Sequence, residues 1–309
     1  MKTLITGASG FVGGHLAIAA DAAGDTVTSI SRSGTAPAGN AVACDLLDAT
    51  AIRNLIAEVQ PDAVHHLAAL ASTGRSWSDP LRCLADNQAM TWNLLEAVRL
   101  EAPAATVLIA CSGESYGKPV SLPIDESHPL APATPYAVAK TACDLIGGLF
   151  AEAHGLKVIR ARAFNHAGPG QSHEFLIGSL VGQVAAAVVA GETSVTLKTG
   201  TAEIRRDYTD VRDVVRAYRE LTSDGLFGVV NVCSGKSAST EEIVNLVRVA
   251  AADKISVDHV VDDSIVRPHE TLEVVGSPAL IADRLGWEAK IPLEQTVSDS
   301  LAASLSPDA

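Results

Sequence analysis

Tyr136 and Lys140 stand four residues apart in the segment Tyr136-Ala137-Val138-Ala139-Lys140. On a helix this spacing sets a phenol and an ammonium one turn apart on a single face, where both can reach one ligand. An unperturbed tyrosine titrates near ~10, and a nearby cation favours its phenolate, so Lys140 is expected to lower the Tyr136 pKa toward useful acid–base behaviour. Alone, Tyr-x-x-x-Lys also describes an ordinary amphipathic surface helix. What gives the pair a redox reading lies far upstream, in Thr6-Gly7-Ala8-Ser9-Gly10-Phe11-Val12-Gly13.

That string follows a short apolar strand, Met1 to Thr6, and precedes a helical stretch from His15 to Ala23. Gly7 permits a tight turn, Gly10 lets backbone approach a pyrophosphate, and Gly13 lets helix and strand pack closely. The helix N-terminus then faces the phosphate charge. The spacing is G-x-x-G-x-x-G, distinct from the G-x-G-x-x-G of many dehydrogenases. Its place between a strand and a helix makes it a dinucleotide cradle.

The elements needed to position these groups alternate as β and α along the first half of the chain, in the manner of parallel βαβ units. Strands are expected at Lys2–Thr6, Thr26–Ser31, Ala41–Cys44, Ala63–Leu67, Thr106–Cys111 and Lys157–Ala163, and helices at Ala49–Val59, Leu84–Leu100 and Pro135–His154. The fold class is α/β, a doubly wound parallel sheet whose ligands lie at the carboxyl ends of the strands near the switch point. Beyond Gly168-Pro169-Gly170 the alternation stops, and Val229–Val232 reads as one more strand returning to the main sheet. The expected division is a dinucleotide-binding domain over 1–166 and 208–234, a smaller discontinuous C-terminal substrate lobe over 167–207 and 235–301, and a frayed tail over 302–309.

The chain has 309 residues, 47% of them hydrophobic, enough for a large core in one or two domains. A formal charge of −13 argues against a nucleic-acid surface, since such affinity rests on clustered Lys and Arg. The charge-free stretch Phe175 to Gly191 contains Gln183 and falls short of the ~20 apolar residues of a membrane span. Lys2 and the apolar residues after it are cut short by the glycine turn before an h-region forms, so the expected location is the cytoplasm, with no membrane partner. Cys44, Cys83, Cys111, Cys143 and Cys233 form no C-x-x-C pair and imply neither a zinc site nor disulfides. His65 and His66, adjacent on a strand, point to opposite faces and are read as structural, so no metal is expected.

With these residues in hand, the chain resembles the extended short-chain dehydrogenase/reductase family that acts on nucleotide sugars, from residue 1 to about 300. The resembling strings include CDLLD at 44–48, HLAA at 66–69, CSGESYG at 111–117, LPIDE at 122–126, PYAVAK at 135–140, ARAFNHAGPGQ at 161–171, RRDYTDVRDVVRAY at 205–218, NVCSG at 231–235 and RPHE at 267–270. The resemblance implies a Rossmann sheet and a catalytic set of Ser112, Tyr136 and Lys140: Ser112 donates to a sugar carbonyl, Tyr136 passes a proton to the developing C4 alkoxide, and Lys140 holds the nicotinamide ribose. It also implies a glycine loop whose Phe11 and Val12 contact the cofactor, adenine contacts from Asp45 and Leu46, and a cofactor strand lined by Leu67, Ala68 and Ala69. Asn87 matches a position near the cofactor, although an asparagine capping the helix it begins explains it equally well.

Cofactor choice turns on the end of the second strand. An NAD site usually offers an acid to the adenosine ribose, whereas this strand ends Ile30-Ser31-Arg32, so Arg32 favours NADPH, with NADH use possible. For the sugar nucleotide the resemblance implies Asn165 near the diphosphate. Arg206 and Arg267 suit phosphate oxygens, Lys198 and Glu270 suit base or ribose, and Ser112 and Gly113 line the sugar. Arg205 reads as a solvated face. The implied reaction is NADPH-dependent reduction of the C4 ketone of GDP-4-keto-6-deoxy-D-mannose to GDP-D-rhamnose, by a homodimer formed through helices starting near Leu84 and Pro135.

Alternatives on the same fold are a 4,6-dehydratase, a 4-epimerase and a non-catalytic dinucleotide sensor. Glu114 occupies the position of the dehydratase carboxylate. Gly113 stands where many nucleotide-sugar dehydratases carry Asp, and Ser112 replaces their more usual Thr.

Overall fold

A computed structural model describes residues 1–264 and 271–306. Arg267 and Glu270 therefore lie outside the described residues. In chain order the first half contains β1 (Lys2–Thr6), α1 (Phe11–Ala22), β2 (Thr26–Ser31), β3 (Asn40–Ala43), α2 (Ala49–Val59), β4 (Ala63–His66), α3 (Thr73–Ser76), α4 (Pro80–Glu101), β5 (Thr106–Ser112), α5 (Pro135–His154) and β6 (Lys157–Ala163). The second half contains β7 (Asn165–Ala167), α6 (Leu176–Val189), β8 (Ser194–Thr199), β9 (Arg205–Asp210), α7 (Val211–Asp224) and β10 (Gly228–Val232). It ends with β11 (Ser237–Ser239), α8 (Thr240–Ala250), β12 (Ser256–Val261), β13 (Glu273–Val274), α9 (Ala279–Leu285) and α10 (Leu293–Ser304).

Seven parallel strands form the main sheet in the order β10-β6-β5-β4-β1-β2-β3. The central strands are apolar and buried on both faces because helices cover both, the usual condition of an all-parallel sheet. One face packs Leu4, Val64, Val107 and Ile109 against Ile52 and Ile56 of α2, Leu94 and Val98 of α4, and Phe150 of α5. The other covers Ile5 with Leu16 and Ala17 of α1 and Val215 of α7, and Leu108, Ile159 and Val230 with Val214, Tyr218 and Leu221 of α7. Strand order reverses between β1 and β4, so the loops after these two strands open the crevice where such sheets bind ligands.

Local chemistry sets the helix starts. Asp48 caps α2 by accepting from the Thr50 and Ala51 amides, both at 3.0 Å, and Thr134 caps α5 by accepting from the Ala137 amide at 3.0 Å. The long helix expected from Leu84 starts at Pro80 behind the Asp79 cap, with proline at a first-turn position that needs no amide donor. Asn87 is thus seven residues inside α4, and the capping explanation of it does not hold.

The smaller lobe consists of the β7, β9, β11 and β13 sheet, the β8–β12 ribbon and helices α6, α8 and α10, around Leu180, Val184, Leu197, Val244, Val257 and Val297. β10 returns to the main sheet beside β6. The packing departs from the expected division in three places. β7, which straddles the expected boundary at 166, pairs in the lobe sheet with β9, which straddles the one at 207. Ile281 and Trp287, inside 235–301, are buried against the main sheet. The expected tail is helical to Ser304, whose hydroxyl donates to the Ser300 carbonyl, while Leu305 packs on the lobe core. Among the described residues no helix is long and apolar enough to cross a membrane, and no cluster of His, Cys, Asp or Glu could hold a metal ion. All five cysteines are buried and unpaired.

Candidate active site

β5 runs into a short 3-10 turn, Gly113–Tyr116, whose start is capped by the Ser112 hydroxyl accepting from the Glu114 amide at 3.1 Å. The Tyr136 phenol enters from the first turn of α5, where the Ser112 hydroxyl acts on it. Tyr136 is half-buried, with protein packed closely around its phenol. Burial, first, and then the negative charge of Glu114 push the Tyr136 phenol above its ordinary value; the Ser112 hydroxyl pulls the other way. This reverses the expected lowering by Lys140, because desolvation of the phenolate dominates.

Lys140 lies one turn further along α5, 6% exposed, and its charge acts on His66. Glu114 is exposed; it accepts from the Thr73 hydroxyl at 3.0 Å and the Thr134 hydroxyl at 3.4 Å, linking α3 to the cap of α5. Gly113 faces Phe164, whose ring atoms would lie 3.1 Å from a Cβ added there.

The glycine turn fits a dinucleotide on geometric grounds. Gly7 has φ +72°, and a Cβ on it would come 2.7 Å from the Ala68 amide nitrogen. A Cβ on Gly13 would come 2.1 Å from the Gly7 carbonyl oxygen, so turn and helix touch through bare backbone. Gly10 caps α1 without any side-chain hydrogen bond, which leaves the first-turn amides around Phe11 and Val12 facing outward for an anion. Across the crevice the Leu67 amide donates to the Thr6 carbonyl at 3.3 Å and the Ala68 amide to the Thr6 hydroxyl at 3.2 Å, which places Leu67, Ala68 and Ala69 along the turn. Asn87 accepts from the Leu70 amide at 2.9 Å and so holds the end of that segment. Arg32 is exposed where β2 ends. The Asp45 carboxylate accepts from the Leu47 amide at 3.0 Å, and Leu46 is buried beneath it.

The sugar-nucleotide candidates are more dispersed. Parallel pairing sets Asn165 beside Tyr208, and the two-residue period of β9 puts Arg206 on the same face. Arg206 is half-buried and donates to the Arg205 and Thr271 carbonyls at 2.8 and 2.9 Å. Lys198 is exposed in the β8–β12 ribbon opposite Val260, its charge acting on Asp262, and among the described residues nothing joins it to Ser112 or Tyr136. Arg205 ties β9 to Ser237, Glu242 and Glu273, a structural task.

Several supports escaped the sequence reading. Asp144, two turns beyond Tyr136 and fully buried, pairs with Arg162 at 2.6 Å and Arg160 at 3.0 Å on β6. Arg162 in turn sits 4.9 Å over the Tyr116 ring, and the Tyr116 hydroxyl donates to Asn231 at 2.7 Å. Two arginines spaced by two within an otherwise apolar strand were the available signal. Buried Asp207 accepts from the Ser234, Gly235 and Gly276 amides at 2.9–3.2 Å, welding β9 to the loop after β10. Phe11 stacks on His166 at 6.2 Å, and His15 meets the Pro169 carbonyl at 2.8 Å, so the glycine turn also touches the lobe.

With this geometry established, the chain can be set beside known proteins. Residues 4–300 match the family described as GDP-mannose 4,6 dehydratase. GDP-6-deoxy-D-mannose reductase of Pseudomonas aeruginosa is 36% identical over 299 residues, 96% of this chain and 94% of that one. The structure of RMD from Pseudomonas aeruginosa complexed with NADPH superposes with a TM-score of 0.87 at 32% identity over 99% of both chains. Thermus thermophilus UDP-glucose 4-epimerase in complex with NAD gives 0.85 at 26% identity, over 99% of this chain and 100% of that one.

Proposed function

This chain belongs to the GDP-mannose 4,6 dehydratase family of nucleotide-sugar enzymes, and from that premise we propose that it reduces the C4 ketone of GDP-4-keto-6-deoxy-D-mannose to GDP-D-rhamnose with NADPH. The observation that carries the proposal is the convergence of Ser112, at the end of β5, on a Tyr136 phenol held protonated by burial, in the same parallel sheet whose β1 leads into the glycine cradle. A reductase needs an acid at this position, and a phenol raised by burial remains one at neutral pH.

NADPH, when bound, supplies the hydride. Ser112 and Tyr136 polarise the ketone oxygen, and Tyr136 gives its proton to that oxygen as negative charge develops there. Lys140, buried one turn away, supplies the positive charge that offsets the phenolate left behind and holds the nicotinamide ribose. Gly7, Gly10, Phe11, Val12 and Gly13 hold the pyrophosphate, Leu67–Ala69 line the nicotinamide half, Asp45 and Leu46 meet adenine, and Arg32 faces the 2′-phosphate; NADH remains usable. Asn165, Arg206 and Arg267 hold the diphosphate of the substrate, Gly113 lines the sugar, and Lys198 and Glu270 are contacts to base or ribose.

A second reading, 4,6-dehydration of GDP-mannose, has Glu114 in its favour, since its charge reaches Tyr136. Against it, Gly113 abuts Phe164, leaving little room for the second acid.

The enzyme works in the cytoplasm as a homodimer. Buried, unpaired thiols suit a reducing compartment, and α4 and α5 expose Trp92, Val138, Leu145 and Leu149, a stripe suited to a second copy. The deciding experiment supplies the 4-keto sugar nucleotide and NADPH, follows loss of reduced cofactor, and identifies the product by NMR. Turnover of GDP-mannose without added ketone would establish the dehydratase instead.

A further inference from the structure

We propose that His66 is a positioning residue for the dinucleotide: it suspends the cofactor-lining segment Leu67–Leu70 from α4 through a buried chain of hydrogen bonds. The chain has one consistent set of donors. The Ala68 amide donates to the Thr6 hydroxyl oxygen at 3.2 Å, and the Thr6 hydroxyl lies 2.9 Å from His66 Nδ1. His66 Nε2 lies 3.1 Å from the Thr91 hydroxyl, which donates its own proton to the Asn87 carbonyl at 2.9 Å. Because Thr91 spends its proton on a carbonyl, it must accept from His66 Nε2–H, which leaves Nδ1 bare to accept from Thr6. Burial, reinforced by the Lys140 charge, pushes His66 down to about 3, so the ring stays in this neutral form.

Asn87 closes the circuit. Its side-chain oxygen takes the Leu70 amide at 2.9 Å, while its nitrogen donates to the Cys83 carbonyl at 2.9 Å. Residues 68 and 70 are therefore both hung from α4, and all four side chains of the relay, Thr6, His66, Asn87 and Thr91, are buried. Since the Gly7 turn closes against the Ala68 amide, a shift of this segment moves the cradle itself. Only an imidazole carries an acceptor and a donor on opposite edges of one rigid ring, which explains why a histidine occupies a site where it never titrates at neutral pH.

The inference rests on the cofactor reading above, and the test separates the two. NADPH affinity is measured by calorimetry on the full chain and on Thr91→Val, Thr91→Ser and His66→Ala, with melting temperature recorded without ligand and KM taken separately for NADPH and the sugar nucleotide. Wild type is expected to bind NADPH. Thr91→Val and His66→Ala should each weaken that binding roughly tenfold, with the sugar-nucleotide KM unchanged and Thr91→Ser retaining wild-type affinity. If wild type does not bind NADPH, the cofactor reading fails. If it binds and the folded Val and Ala variants bind equally well, or if Ser weakens binding as much as Val, this proposal alone is overturned. Variants too unstable to purify would make the relay a stability device and overturn it as well.

Discussion

At Tyr136 burial and the Glu114 charge act together against the Ser112 hydroxyl, and burial is the largest influence. A Tyr136→Phe enzyme keeps the ring and loses the proton, so ketone reduction should fall by about 10²–10⁴-fold while NADPH still raises its melting temperature; unchanged turnover would remove Tyr136 from the chemistry. The sign of the pH response also follows. Reduction needs the protonated phenol, so activity is present below the Tyr136 pKa and is lost as pH rises through it. Glu114 raises that pKa, with Cys111 and Cys143 acting in the same direction and Ser112 opposing. Glu114→Gln should therefore move the alkaline limb of kcat/KM to lower pH, and a limb that stays put would deny Glu114 this influence.

Elements were legible where their cause is local. β1, β2, β6, α2 and α5 begin and end where strand composition and caps put them, because apolar runs and residues such as Asp48 and Thr134 act over a few positions. The start of α4 was misjudged by four residues since exposed Leu81 broke the apolar pattern, although Asp79-Pro80 is a strong start signal. The glycine turn and Tyr136–Lys140 were likewise readable from spacing. What joins them was not: Thr6, His66 and Thr91 are distant in sequence, and Asp144 meets its arginines only once α5 lies on β6. Removing one member of that buried ion cluster strands the others, so Asp144→Ala should cost about 3–5 kcal/mol in urea unfolding. A loss below ~1 kcal/mol would show that the pairing contributes no more than a surface bridge.

Across the whole molecule, the chain crosses between its two bodies several times, through β7, β9, β10 and the segment that carries Trp287. That interlacing is why no single boundary could be drawn from composition. The lobe cannot be cut out as one stretch, and Asp207 shows how closely the bodies are sewn. The outer apolar stripe on α4 and α5 belongs to this scale too. Leu145 on α5 is 58% exposed; Leu145→Glu should turn a two-chain particle into a single chain by light scattering, with the melting profile of the isolated chain little altered. A wild-type particle of one chain would refute the pairing.

The five enclosed thiols have a practical corollary. A sulfhydryl dye can mark them only when the fold breathes, so the intact enzyme should stay dark, and the rate at which colour develops becomes a clock for opening. Cys44, Cys83, Cys111 and Cys143 belong to the packing on one face of the main sheet or to the helices beside it, while Cys233 shares a pocket with Tyr116, Ile124 and Phe164 at the seam between the bodies. Mass mapping of the tagged peptides would thus tell whether that seam parts before the sheet does, or whether the protein comes undone all at once.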